Sequence, residues 1–262
     1  MRITYLYHDG FLADLGNCQI IFDYWKMHPG CSESLEDMLD GSKPLYVFVS
    51  HFHKDHYNPG VFELSGREAG VRYVVSGDVA RRARHFYRAG STYRGSRKVS
   101  EDQVTVMREG EIFEDGCLKV RAFGSTDTGC SWLVEAGGKK LFHAGDLNAW
   151  IWKEESTEEE VACAIDDFRS KIRPMKDVTD KIDVAMFPVD SRIGPEYYTG
   201  ARIFVREFDV KFFIPMHFGL GETADESARY IRDATRFEMY ANEGRGVYLS
   251  LTGPYSSILL PD

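Results

Sequence analysis

One stretch restricts this chain more than any other. A continuous apolar run, Leu45-Tyr46-Val47-Phe48-Val49, ends in Ser50 and then in three histidines within six residues, His51-Phe52-His53-Lys54-Asp55-His56. A run without polar alternation is what a strand buried on both faces requires, so the fold has to cover this strand from two sides. The loop that follows such a strand gathers side chains above the sheet edge. Imidazoles two positions apart in extended backbone point the same way, so His51 and His53 can grip one cation together. Asp55 and His56, on the following turn, can aim at a second cation a few ångström away. Three histidines packed beside a carboxylate by chance is a poor competing explanation, and the cluster reads as a metal site.

The rest of the chain is organised around similar strands. Ile3–Tyr7, Phe11–Leu15 and Cys18–Phe22 are short β-rich runs separated by the His8-Asp9-Gly10 and Gly16-Asn17 turns. Val71–Ser76 predicts a further strand with a helix over about 78–89. Val104–Met107, Glu111–Phe113, Leu118–Phe123, Ser131–Glu135 and Lys140–His143 predict strands punctuated by Asp115-Gly116 and Gly137-Gly138. Thr157 and Glu160 have capping-box spacing ahead of apolar residues Val161, Ala164, Ile165, Phe168 and Ile172 at helical period. Val184–Phe187 and Phe212–Pro215 read as buried strands around a helix near 196–208. Thr223 and Glu226 start a helix reaching about 240, and Gly246–Leu251 and Ser257–Leu260 close the chain. This order predicts an α/β fold, two sheets packed face to face with helices outside. No repeat or Pro/Ser-rich linker interrupts residues 1–262, which reads as a single domain.

Composition narrows the function classes. Of 262 residues, 43% are hydrophobic and 28% charged, enough for a large core and incompatible with wholesale disorder. No apolar run approaches the roughly 18–20 residues of a membrane span, and the N-terminus lacks the apolar stretch of a signal peptide. The five cysteines are scattered without a CxxC pair, which fits reduced thiols in the cytoplasm. A net charge of −9 repels phosphate backbones, so nucleic acid is a poor partner. Residues 81–98 reverse the sign: Arg81, Arg82, Arg84, Arg88, Arg94, Arg97 and Lys98 occur there with no Asp or Glu, so the segment carries +7 and the remainder −16. This is either a solvated helix face with its loop or a local grip on an anionic substrate.

The pattern His51-x-His53-x-Asp55-His56 after an apolar strand and a serine resembles the HxHxDH signature of the metallo-β-lactamase superfamily. The likeness extends along most of the chain. Residues 3–23 resemble the family's opening hairpin region, ending at an acidic residue, here Asp23. Leu141-Phe142-His143-Ala144-Gly145-Asp146 resembles the later motif whose aspartate bridges two metals, and Phe213-Ile214-Pro215-Met216-His217-Phe218-Gly219 resembles the C-terminal motif whose histidine completes the second site. The wording is similar to the branch containing ascorbate-6-phosphate lactonase and related cytosolic hydrolases. The resemblance implies an αββα sandwich of two mixed sheets with outer helices, carrying a dinuclear site at one edge.

In one place the chain departs from that pattern. Where the family carries a third histidine of the first site, this chain reads Gly124-Ser125-Thr126-Asp127-Thr128-Gly129-Cys130. Asp127 is the strong oxygen donor there, and it either replaces the imidazole or caps the turn before the next strand. Cys130, at a strand start, reads as core. The implied set is His51, His53, Asp127 and bridging Asp146 on one ion, with Asp55, His56, Asp146 and His217 on the other. A carboxylate in place of imidazole moves preference from zinc toward manganese or iron. Three carboxylates leave two divalent ions about +1, still enough to polarise a substrate and acidify a bridging water.

The remaining polar residues carry less. His143 reads as supporting or packing, Asp23 as orienting the histidine loop, and His8, His28 and His85 as ordinary surface or core histidines. Asp190 and Arg192, after a strand on the same edge, are candidates for supporting the site and for contacting a substrate anion, and Asn148, Trp150 and Trp152 for walling the pocket. The reading is a hydrolase using two divalent ions, Zn or Mn with Fe also fitting. A metal-held hydroxide would attack a small anionic ester, lactone or phosphoester, with Asp55 or Asp146 taking the water proton. The alternatives are a phosphodiesterase or RNA nuclease of the same fold and a non-catalytic metal-binding protein with a degenerate first site. The family's flavin-linked members carry Glu in place of the second histidine, so His53 speaks against redox chemistry. Small molecules are the expected partners, without membrane, and a homo-oligomer is compatible with the sequence.

Overall fold

The computed structural model describes residues 1–87, 99–219, 221, 223–236, 246–248, 251 and 253–260. The chain runs through β1 (Arg2–Tyr7), β2 (Gly10–Asp14), β3 (Gln19–Phe22), β4 (Leu45–Val49), β5 (Val71–Ser76), α1 (Gly77–Tyr87), β6 (Val104–Met107), β7 (Ile112–Glu114), β8 (Lys119–Phe123), β9 (Ser131–Ala136) and β10 (Lys139–His143). Then follow α2 (Glu158–Lys176), β11 (Lys181–Pro188), α3 (Thr199–Glu207), β12 (Asp209–Met216), α4 (Ala224–Arg236), β13 (Val247–Tyr248) and β14 (Ser257–Leu259). Two seven-stranded sheets result, ordered β14-β1-β2-β3-β4-β5-β6 and β13-β12-β11-β10-β9-β8-β7. Both are mixed. The β14-β1-β2-β3 and β7-β8-β9-β10 portions pair antiparallel, whereas β3 to β6 and β10 to β13 pair parallel.

Strand β4 shows why an unbroken apolar run was needed. Tyr46 and Phe48 point into the core between the sheets, where the Phe48 ring meets Trp132 of the opposite sheet at 5.7 Å. Leu45, Val47 and Val49 point the other way, into a second cluster with Val79, Ala83 and Phe86 of α1 and with Val61, Phe62 and Leu64 of a 3₁₀ segment over Pro59–Gly66. Each large aromatic buried in this way contributes about 1.5–3 kcal/mol of transfer free energy. On the second sheet, Phe204 of α3 stacks on Phe142 at 5.0 Å and packs on Phe187 at 4.8 Å. Helix α2 starts at a formed capping box, with Thr157 accepting from the Glu160 N–H and the Glu160 carboxylate accepting from the Thr157 N–H.

β4, β5 and β6 coincide with the strands expected from periodicity, the other early strands fall within a residue or so, and β11 and β12 begin three residues earlier than expected, at Lys181 and Asp209. The expected strand 246–251 is described only as Val247–Tyr248, and the predicted helix end at 237–240 lies outside the described residues. So do Arg88, Arg94, Arg97 and Lys98 of the basic segment; its described members Arg81, Arg82 and Arg84 lie on the exposed side of α1. No described helix is long and apolar enough to cross a membrane. Parallel pairing brings the carboxyl ends of β3, β4, β10, β11 and β12 to one edge, the place where open α/β sheets collect their ligands. The β1–β2 turn and the β8–β9 connection arrive at the same edge.

Candidate metal centre

Asp23, directly after β3, organises the edge. Its carboxylate accepts from the Ser50 N–H at 2.7 Å, from the Ser50 hydroxyl at 2.5 Å and from Nδ1–H of His56 at 2.9 Å. With its own hydrogen spent on Asp23, the Ser50 hydroxyl accepts from Nδ1–H of His51 at 3.0 Å. Both imidazoles are thereby turned so that Nε2, with its lone pair, faces inward. Asp190, after β11, does the same for His217 through Nδ1 at 2.9 Å and is itself clamped by Nε and Nη2 of Arg192 at 2.5–2.9 Å. Asp23 also lies within 4.8 Å of donor atoms of His51 and His56, but its carboxylate is already engaged by Ser50 and His56, which suits the orienting role expected from the sequence.

Two groups of inward-facing donors result. His51 Nε2, His53 Nδ1, Asp127 and Asp146 lie within 4.8 Å of one another, with Asp127 Oδ2 at 3.3 Å from His53 and 4.0 Å from His51. Deeper in, Asp9, His56, Asp146 and His217 form a second such group, with Asp146 Oδ1 at 3.0 Å from His56 and 3.3 Å from His217. Asp146 is shared, its Oδ2 facing His51 at 3.3 Å. A third grouping joins His8, Asp55, His56 and His217. Asp55, expected with His56, Asp146 and His217, lies within 4.8 Å of the donors of His56 and His217 and also faces His8 Nε2 at 3.3 Å.

The residues fit divalent cations, and the fit rests on polar atoms that nothing among the described residues satisfies. Nε2 of His8, His51 and His56, both oxygens of Asp9 and Oδ1 of Asp146 are buried and have no hydrogen-bond partner. Several stand near one another without forming hydrogen bonds, and within each group their donor atoms lie within 4.8 Å of one another. Unpaired buried polar atoms are costly, and converging unpaired lone pairs are what a bound cation repays.

Electrostatics agree. Burial alone would depress His217, but Asp146, Asp9 and Asp190 outweigh it and hold the imidazole at about 9. Burial would likewise depress His56, yet Asp146 and Asp9 hold it well above its ordinary value. Burial pushes the other way on Asp146, whose carboxyl is nevertheless kept well below the usual range by His56 and His217. Burial raises the Asp9 carboxyl to about 8 and lowers His8 to about 4. Without a cation, His56, His217 and Asp9 therefore bind protons more tightly than the free side chains do.

The backbone is bent to serve this edge. His8, Asp23 and His217 all have positive φ, at 56°, 38° and 63°, a conformation that costs non-glycine residues of order 1–3 kcal/mol each. Gly129, at φ 75°, lets the Asp127 loop lie against the histidine loop: a Cβ there would fall 2.0 Å from the Ser50 carbonyl oxygen.

A family model described as a beta-lactamase superfamily domain matches residues 34–218. The chain belongs to the metallo-β-lactamase superfamily. A metal-dependent hydrolase of Symbiobacterium thermophilum is 27% identical over 225 residues, covering 84% of each chain. Among solved structures, a metallo hydrolase of the archaeon Ignicoccus hospitalis shares the fold at a TM-score of 0.64 and 16% identity over 99% of both chains. A diiron β-hydroxylase of Streptomyces venezuelae shares it at 0.64 and 14% identity, over 99% of this chain and 54% of that one. Within the superfamily, then, this chain pairs the fold with clustered His and Asp donors that could hold metal ions, and the two-sheet α/β architecture expected from its sequence is the one found.

Some residues differ from expectation. His8 is no ordinary core histidine: it is fully buried against Asp55, and its ring centroid lies 4.4 Å from that of His217. Asp9, read as part of a turn, stands among the donors. The available signal was the turn's position, since a hairpin beside β3 must deliver its loop to the edge already marked by Asp23. Asn148 does not wall a pocket: it is buried, and its Oδ1 accepts from the Ala149 N–H. Trp152 is exposed, whereas Trp150 donates Nε1–H to the Asp146 carbonyl and sets its ring 5.2 Å from His217. Trp25, unnoticed in the sequence, lies 6.2 Å from His8. His143 supports as expected, bonding the Asp9 carbonyl oxygen at 2.9 Å and stacking on Phe22. His28 is half-buried and His85 exposed, away from these donors, and Cys130 is core.

Proposed function

We propose that this chain is a metal-dependent hydrolase acting on a small ester, lactone or phosphoester that carries an anionic group. The observation that supports it is the set of buried, unpaired imidazole and carboxylate atoms converging on two adjacent positions. His51, His53, Asp127 and Asp146 would hold the outer cation, and Asp146, His56 and His217, with Asp55 alongside, the inner one. Zinc and manganese both suit mixed imidazole and carboxylate ligands, and iron is compatible; Asp127 in place of an imidazole favours the harder ions. When bound, such ions polarise a carbonyl or phosphoryl oxygen and lower the pKa of a water.

The chain's own groups do the rest. Asp55 is 32% exposed, so it stands at the mouth of the site, where it can accept the proton given up by the attacking water. Asp146, buried and shared between both groups, fixes the spacing of the two positions and is the second candidate for that proton. Trp150 closes one wall against His217. Arg192 keeps part of its guanidinium exposed while Asp190 fixes its orientation, which suits an anion-contacting role. Asp190 itself faces His217 and Arg192, so its part is to place them rather than to touch substrate. Arg81 lines a cavity of about 410 Å³ beside Thr128–Cys130, but Asp78, Arg108 and Glu109 line it too, so its charges balance and the anion preference rests on Arg192. Five unpaired cysteines fit a reducing compartment such as the cytoplasm.

The test is metal analysis joined to a substrate panel. Two ions per chain, with hydrolysis of a phosphorylated lactone that is lost on chelation and restored by Mn²⁺ or Zn²⁺, is the expected result. Preference for a bare phosphodiester would favour a phosphodiesterase. One ion or none, without turnover, would favour a binding protein and end the hydrolase reading.

A further inference from the structure

The carboxylates around this edge differ in how their charge is answered. Asp23 accepts three hydrogen bonds, Asp190 is held by Arg192 and His217, Asp55 faces His8, and Asp127 is part-exposed beside His53. Asp9 shares Nε2 of His8 with Asp55, and its carboxylate has no hydrogen bond of its own among the described residues. Its side chain is wholly buried and neither oxygen takes a hydrogen bond; the groups beside it are Nε2 of His8 at 3.1 Å and Nε2 of His56 at 3.6 Å, both themselves unpartnered.

The backbone nevertheless fixes Asp9 in place. His8 pays for a positive φ to turn the chain, and the Asp9 carbonyl oxygen is bonded by His143 at 2.9 Å. A Cβ at Gly10 would fall 2.9 Å from the Tyr7 carbonyl oxygen, so the following residue has to be small. Asp9 also lies within 4.8 Å of the donor atoms of His56, Asp146 and His217. Ligands bound at about 2.0–2.3 Å from one ion spread over distances of this size.

Resting on the metal reading above, we propose that Asp9 is a direct ligand of the inner cation, so that this position presents two carboxylates and two imidazoles and takes a hard divalent ion such as Mn²⁺. Carboxylate oxygen favours such ions, whereas imidazole serves zinc equally well. Counting Asp9, Asp55, Asp127 and Asp146, four carboxylates meet two divalent ions and leave no net positive charge. The inner position is then the buried, tightly held one, and the outer position, with the exposed His53 and Asp127, is the exchangeable one.

The experiment is titration of the chelator-treated protein with Mn²⁺ alone and with Zn²⁺ alone, on wild type, Asp9→Asn and Asp127→Asn, alongside melting temperatures. Wild type takes up two ions. Asp9→Asn weakens one Mn²⁺ step beyond the roughly 10–100-fold cost of losing a group that only supports a ligand, and weakens Zn²⁺ less. Asp127→Asn weakens the other step. Because a neutral amide replaces a buried carboxylate that takes no hydrogen bond, the ion-free Asp9→Asn protein melts no lower than wild type while losing most of the rise produced by Mn²⁺. If Asp9→Asn does not fold, Asp9→Ser is read in the same way. Two unweakened Mn²⁺ steps in the variant, or a lower ion-free melting temperature with the Mn²⁺ rise intact, would overturn the proposal while leaving the hydrolase reading standing. A wild type that binds neither metal would remove both.

Discussion

The Asp23 carboxylate and the Ser50 backbone N–H lie 2.7 Å apart, so the end of one parallel strand holds the first residue of the histidine loop that leaves the next. Substituting Asp23→Ala leaves that buried N–H and the Nδ1–H of His56 without an acceptor, a cost of about 1–3 kcal/mol for each group. Asp23→Asn keeps one acceptor oxygen but opposes the Ser50 hydroxyl or His56 with an amide. The expected outcome is a folded Asp23→Asn protein with metal affinity reduced roughly 10–100-fold, seen by calorimetric titration, and a lower urea midpoint for Asp23→Ala.

Asp146 is the one carboxylate common to both donor groups. Asp146→Ala should therefore remove turnover and reduce uptake at both positions, whereas Asp127→Ala should spare the inner ion. Metal content after dialysis measures the difference, and an active Asp146→Ala enzyme would end the two-ion assignment.

Arg192 and Asp190 form a fork-to-carboxylate pair behind His217. A lysine cannot reproduce that geometry. Arg192→Lys should raise KM for anionic substrates more than for neutral ones, and Arg192→Met, leaving Asp190 buried and half-answered, should cost about 3 kcal/mol in denaturant melts. Equal KM changes for both substrate types would deny Arg192 its anion-contacting role.

The ion-free protein should weaken as the solution becomes alkaline. His217 is raised from 6.5 to about 9, with Asp146, Asp9 and Asp190 overcoming burial, and burial raises the Asp9 carboxyl from 3.8 to about 8. Both groups bind a proton more tightly when folded than when unfolded. The stability this gives is fully present below the unfolded values and disappears as pH climbs through the folded ones. Urea midpoints of chelated protein should fall from about pH 4, where the Asp9 contribution begins to be lost, to about pH 9, where that of His217 is gone. Saturating Mn²⁺, which replaces those protons, should flatten the decline.

Gly129→Ala should be severely destabilising, because it combines a positive φ of 75° with a Cβ placed 2.0 Å from the Ser50 carbonyl oxygen. The strain alone amounts to about 1–3 kcal/mol, and relief has to come from moving the Asp127 loop away from the histidines. Thermal melts and outer-ion affinity should fall together.

Much of this was legible from residues alone. Unbroken apolar runs placed β4, β11 and β12, and the clustered spacing of His51 to His56 announced its chemistry, because local sequence alone sets strand burial and side-chain direction. His8 and Asp9 escaped that reading. A His-Asp-Gly turn has the composition of any hairpin, and its importance arises only when antiparallel β1 and β2 are laid beside β3. Asp55 stands with His56 and His217, and its further neighbour His8 comes from a turn remote in sequence. Trp25 stands close to His8 through tertiary packing that no period encodes.

His8, Asp9 and the 51–56 loop hang from one sheet, whereas Asp127, Asp146 and His217 hang from the other. Any cation seated among them is a rivet driven through both layers at their open rim, opposite charges drawn together where the oily filling ends. On the proposed assignment catalysis and cohesion would be one event: removing the ions would leave the molecule at once idle and unfastened along that seam.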